Sequence, residues 1–120
     1  ENIPFERTDN GKPVDSTIYK LPESEDELVT YSVYMGGDIG ETVITTNRPE
    51  LPNILIYGDS FTNPLEALLW TQANELRSID FRHYTECTLK DYIAEYKPDI
   101  VICVRDETTF LSEDGNGITE

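Results

Sequence analysis

The chain has 120 residues, of which 38% are hydrophobic, and its 9 Lys and Arg against 24 Asp and Glu leave a net charge of −15. That length makes one domain with a modest core, and that charge repels phosphate backbones and anionic membrane surfaces, so nucleic acid is excluded as a partner. No apolar run approaches the ~20 residues that cross a bilayer, so no transmembrane segment is expected.

Residues 1–27 carry Pro4, Pro13, Pro22, Gly11 and an acidic run from 23 to 27. They are expected to form an irregular arm lying on the domain of residues 28–120. No leader-like segment opens the chain, so a soluble piece is expected, and the start at Glu1 rather than Met fits a processed or trimmed piece of a longer protein. Residues 28–34 alternate, with Leu28, Thr30, Ser32 and Tyr34 facing one way and Val29, Tyr31 and Val33 the other, which predicts a half-buried strand. Gly36-Gly37-Asp38 is turn chemistry, and residues 41–46, with Val43 and Ile44, predict a second short strand. The pair makes a hairpin or an edge extension. Residues 48–52 are a Pro-punctuated connector.

From residue 53 the pattern is strand, helix, strand, helix, strand. Ile54, Leu55, Ile56 and Tyr57 form a run too short for a helix, bounded by Pro52 and Gly58, and so a buried strand. Asn63 as a cap, Pro64 at the first position and Glu66 reaching back predict a helix over 64–77, with Leu65, Leu68, Leu69, Ala73 and Leu76 on its apolar face. Trp70 falls off that face, where the arm can cover it or a sugar ring can stack on it. Residues 78–81 predict a short strand. Thr88 opens a second capped helix, whose Leu89, Ile93 and Tyr96 share a face and which Pro98 ends. Residues 99–104 (DIVICV) are a β-branched apolar run fit for a central strand. Strands separated by one helix each imply a parallel sheet with right-handed crossovers, a three-layer αβα sandwich. The Gly-rich tail after Asp114 is expected to fray.

Cys103 lies in the last apolar run and reads as a small buried hydrophobe, while Cys87 precedes a helix start. An α/β core of this kind calls for no disulfide between them. Two cysteines without CxxC spacing and a single histidine, His83, make no zinc constellation, and no metal or cofactor is expected.

The chemistry concentrates where the first strand hands over to the first helix, across Gly58-Asp59-Ser60-Phe61-Thr62. A hydroxyl there lies at the carboxyl end of a strand and near a helix amino end, where unpaired N–H groups favour developing negative charge. Open α/β sheets put their sites at this edge. Serine is also common at such junctions simply because it turns and caps. Asp59 is expected to tie the turn through backbone hydrogen bonds, and Asp80 and Arg82 to form an ion pair nearby. His83, following a strand on the same edge, is either a base or a loop histidine.

The run ILIYGDSFTN resembles the first sequence block of the SGNH (GDSL-type) hydrolase superfamily, in which the serine of the turn after the first strand is the nucleophile. With GGD at 36–38, IDFRHY at 79–84 and YKPDIVICVRDE at 96–107, residues 31–111 are similar to the carboxyl-terminal part of the DHHW family, a bacterial SGNH-like group related to the alginate O-acetyltransferase-like proteins. The resemblance implies an SGNH/flavodoxin-like fold, with Ser60 as nucleophile and its own N–H as an oxyanion donor. The family carries its Asp and His upstream of the serine block, yet no Asp-x-His occurs in residues 1–59. The base is therefore expected in an amino-terminal half outside this chain. The Gly-x-Asn-Asp block expected after the last strand is replaced by Arg105-Asp106-Glu107, which leaves Arg105 as a substitute oxyanion donor and Asp106 to orient a base or start a turn. Gly58 and Asn63 are expected to line the site.

The function implied is a serine esterase or O-acyltransferase acting on acylated carbohydrate at the bacterial cell surface, the isolated chain being inactive without its missing half. The alternative is a non-catalytic module binding glycan or a protein partner. A receiver-like signalling domain, suggested by KPDIVICVRD, fails for want of an acidic pair after its first strand and a later Lys.

Overall fold

A computed structural model describes residues 2–111 of the chain. Its centre is β4 (Asn53–Gly58), the strand with Ile54, Leu55 and Ile56 buried in succession. Such a run needs cover on both faces. It pairs in parallel with β5 (Glu75–Asp80) on one side and β6 (Ile100–Val104) on the other. Outside β5 the direction reverses: β3 (Glu41–Thr45), β1 (Glu6–Asp9) and β2 (Lys12–Val14) continue antiparallel, giving six strands in the order β2-β1-β3-β5-β4-β6. The sheet is thus mixed rather than parallel throughout, because the elements preceding β4 join it as meander and hairpin rather than through crossover helices.

Side chains of period two divide the core between the two faces. Ile54 and Ile56 meet Ile44, Leu76 and Ala67 of α1 (Thr62–Leu69) on one face. Leu55 meets Ile79, Phe81 and Tyr92 of α2 (Leu89–Tyr96) on the other. Full burial of a Leu or Ile side chain is worth about 1.5–3 kcal/mol, so a one-residue slip of β4 would exchange both clusters at once.

Four expectations are corrected. The arm is irregular only after Val14, since Asn10 and Gly11, with φ of 49° and 73°, make a left-handed two-residue turn that folds β1 and β2 into a hairpin. Pro13 is tolerated because β2 is an edge strand. Residues 28–34 are no strand: Tyr31–Val33 is a 3-10 turn, Leu28 and Val29 are 85% and 68% exposed, and one bridge, Tyr19 to Tyr34, stands in for a ladder. Alternation without a sheet to receive either face does not make a strand. The helix starting near Asn63 ends at Leu69, passes through a 3-10 turn at Trp70–Gln72, and leaves Leu76 to β5. Finally, β6 is the last strand of the described sheet rather than a central one, and Cys103 on it is exposed.

Other readings agree with the structure. Thr88 Oγ1 accepts from Asp91 N at 3.1 Å at the start of α2, and left-handed Lys97 before Pro98 ends the helix. Phe5 packs on Trp70 with ring centroids 4.5 Å apart, so the arm covers that indole. Both cysteines are free thiols. Among the described residues no helix is long and apolar enough to cross a membrane.

One buried cation organises the irregular segment. Arg7, 5% exposed, holds both oxygens of Asp9 at 2.9 Å and donates to the carbonyls of Thr17 at 2.7 Å and Met35 at 2.5 Å. The loop between those carbonyls is thereby fastened to the sheet.

Candidate active site

Gly58 ends β4 where β6 passes so closely that a Cβ would lie 1.6 Å from the Val104 carbonyl oxygen, so no larger residue fits. Asp59, buried, then spends both carboxylate oxygens on backbone: one accepts from Phe61 N at 2.9 Å, the other from Asp106 N at 2.8 Å. That second bond ties the turn to the segment entering α3 (Glu107–Leu111). Asp59 is a structural acceptor in this geometry.

Ser60 is half-buried at the rim where the parallel strands end. Of the amides that follow, Phe61 N is taken by Asp59, Thr62 N by the Asp59 carbonyl and Asn63 N by the Ser60 carbonyl. Among the described residues that leaves Ser60 N–H as the amide able to meet an oxyanion beside its own hydroxyl. Asn63 does not cap the helix: Phe61 is the N-cap, and the buried Asn63 amide donates to Gly37 O at 3.1 Å. Asn63 thus holds the GGD turn against the serine turn.

Arg105 comes close as well, its Cγ standing 3.3 Å from where a Gly58 Cβ would be and its guanidinium lying 5.6 Å from the Tyr57 ring centre. A cleft of about 630 Å³ opens beside it, lined by Phe61, Val104, Arg105, Asp106, Glu107 and Thr108. Its mixed apolar and charged walls suit a small polar substrate.

The remaining expected residues form a second group. Buried Asp80 accepts from Arg82 Nε at 3.0 Å and from Arg82 N at 2.9 Å, and Arg82 Nη2 also reaches Asp38 at 3.3 Å. The Asp80 hydrogen bond holds the Arg82 guanidinium above its ordinary pKa. His83 Nε2 stands 3.8 Å from Asp38 Oδ2, both half exposed, in a cleft of about 530 Å³ that also includes Asn10, Gly40 and Tyr84. Asp38, Asp80 and His83 bring ligand atoms within 4.8 Å of one another, but Arg82 already supplies the positive charge there. Ser60, Asp59, Arg105 and Asp106 are thus gathered in one cluster and Arg82 and His83 in another. Among the described residues no base meets the Ser60 hydroxyl.

Tyr31 escaped sequence reasoning. Its hydroxyl donates to the Ser60 carbonyl at 2.9 Å, bringing the irregular segment over the serine turn. Assigning it to a half-buried strand concealed that role, and the Gly36-Gly37 turn that lets the segment double back was the available signal.

The class these features define is an α/β protein with a mixed six-stranded sheet and a serine presented on a strand–turn–helix at the rim of its parallel strands. No protein-family model matches the sequence, and no curated protein matches it. Solved structures do. A DHHW family protein from Eubacterium siraeum superposes with a TM-score of 0.68 at 21% identity, over 87% of this chain and 34% of that one. PatB1 of Bacillus cereus does so with a TM-score of 0.72 at 22% identity, over 91% and 37%. The same protein with a sulfonyl adduct gives a TM-score of 0.63 at 24% identity, over 74% and 30%. The likeness to the DHHW group read from the sequence is borne out at the level of fold, and the chain spans about a third of each of these proteins.

Proposed function

We propose that this chain is the nucleophile-bearing part of an SGNH-like, three-layer α/β serine esterase or O-acyltransferase that acts on acylated carbohydrate at the bacterial cell surface. One observation carries the reading: Ser60 sits half-buried between a glycine-limited strand end and a helix start, with its own N–H unspent among the described residues and the neighbouring amides committed. Ser60 Oγ attacks the acyl carbonyl, the proton passes to a base from the part of the protein beyond this chain, and the sugar alkoxide leaves on taking a proton. Water or a second sugar hydroxyl then releases the acyl group. The sulfonyl adduct of PatB1, a fold neighbour, supports the reading, since such adducts form on activated nucleophiles. Arg105 and the cleft beside it are the acyl-binding side.

The test is fluorophosphonate labelling of the full-length protein with p-nitrophenyl acetate turnover. Labelling at Ser60 that Ser60→Ala abolishes is expected; absence of both labelling and turnover in full-length protein ends the enzyme reading. The second reading, a non-catalytic glycan-binding module, is favoured by the lack of a base at Ser60 among the described residues. Glycan binding that survives Ser60→Ala, without esterase activity, would select it.

A further inference from the structure

Three tyrosines lead away from the serine turn. Tyr31, bonded to the Ser60 carbonyl, stands 5.7 Å from Tyr34 between ring centroids, and Tyr34 stands 6.2 Å from Tyr19. Tyr31 and Tyr19 are 45% and 48% exposed, while Tyr34 is partly buried against the core and anchors the row.

The segments that carry these rings are irregular but fastened. Arg7 holds the Thr17 and Met35 carbonyls, Lys20 N donates to Val33 O at 2.9 Å, Met35 N donates to Ile18 O at 2.9 Å, and Asn63 holds Gly37. So many ties to keep exposed aromatics in place point to a surface built in advance for a ligand, since pre-ordered rings spare the ligand the entropy of fixing them. Tyrosine offers a flat apolar face and a polar tip, which suits a pyranose with its C–H face and its surrounding hydroxyls.

Charge narrows the ligand further. Burial first, and then the carboxylates of Asp59 and Asp38 with Tyr34, raise the Tyr31 hydroxyl above its ordinary pKa. Tyr31, the ring nearest Ser60, thus faces carboxylates on a chain of charge −15, which disfavours uronate and other anionic sugars. We infer that Tyr19, Tyr31 and Tyr34 form a stacking row for uncharged sugar rings of the acylated carbohydrate, running outward from Ser60. This rests on the esterase or acyltransferase reading for its substrate class.

The experiment uses full-length protein with acetylated xylo-oligosaccharides and acetylated oligogalacturonides as neutral and anionic substrates, and p-nitrophenyl acetate as a substrate without sugar rings. Tyr19→Ala, at an exposed ring whose loss spares the core, is expected to raise KM for the neutral sugar ester about two- to tenfold relative to p-nitrophenyl acetate. Tyr19→Phe restores it, and the anionic ester is the poorer substrate. An unchanged KM ratio in both Tyr19→Ala and Tyr34→Ala, or equal use of the two sugar esters, overturns the inference while leaving the esterase reading intact. Should the protein show no turnover at all, calorimetric binding of xylo-oligosaccharide to Ser60→Ala protein still decides. Binding weakened by Tyr19→Ala supports the row, and absent or unaltered binding refutes it.

Discussion

Replacing Arg7 tests whether one buried guanidinium holds the serine-proximal segment in place. Its partners are the Asp9 carboxylate and the carbonyls of Thr17 and Met35. Arg7→Met keeps much of the apolar stem and removes every donor. Removing one partner of a buried pair costs about 3–5 kcal/mol, and Asp9, 20% exposed, recovers some hydration, which places the loss near the lower end at about 3 kcal/mol. Against a total stability of about 5–15 kcal/mol, that lowers the melting temperature by about 10–15 °C for a chain of this size. Urea unfolding followed by circular dichroism measures it. Arg7→Met combined with Asp9→Leu should lose less than the sum of the two single changes by at least about 1 kcal/mol, because the stranded carboxylate is gone. A loss below about 1 kcal/mol for Arg7→Met, or strict additivity in the double variant, refutes the reasoning.

Two further outcomes rest on Gly58 and Glu66. Gly58→Ala puts a methyl 1.6 Å from the Val104 carbonyl oxygen, a backbone atom that cannot swing away, so β4 and β6 must part locally. The loss expected in urea unfolding is about 3 kcal/mol, and a change under about 1 kcal/mol would show that the two strands are not so closely apposed. Glu66, which accepts from Ser78 Oγ at 2.6 Å, is raised above its ordinary pKa of 4.5 by burial. The folded state therefore keeps its proton to higher pH than the unfolded chain, and the stability this contributes is full below pH 4.5 and lost as pH rises past it. Glu66→Gln should gain stability relative to the parent between pH 4 and 7, read by thermal melts across that range; a difference independent of pH would sink this account.

Local signals proved most legible where sequence and tertiary context agreed. Pro52 and Gly58 bracket β4, and Thr88 and Pro98 bracket α2, so those elements stand close to where punctuation put them. The serine turn was legible for the same reason. The helix after it was overextended because Ala73 and Leu76 continue a helical spacing with no Gly or Pro to interrupt it, yet β3 and β4 recruit Leu76 into the sheet between them. Burial of Leu76 to 1% outweighs the weak helical preference. The Asn10-Gly11 hairpin was hidden by Pro4, Pro13 and the charges around it, and only pairing with β3 reveals its use. Tyr31 was harder to find, because the Gly36-Gly37 turn signals only that the segment doubles back, and no spacing rule names a carbonyl 29 positions away as its partner.

Strand β6 has a consequence for how the chain behaves in solution. Among the described residues it pairs with β4 alone, with Ile100 and Val101 each 43% exposed. A flank of that kind is a template on which a second molecule's backbone can align. What opposes it at neutral pH is the mutual repulsion of strongly anionic molecules, and that repulsion weakens with added electrolyte or acid. Dispersal of the isolated chain is therefore governed by ionic strength and acidity even where its folding is not.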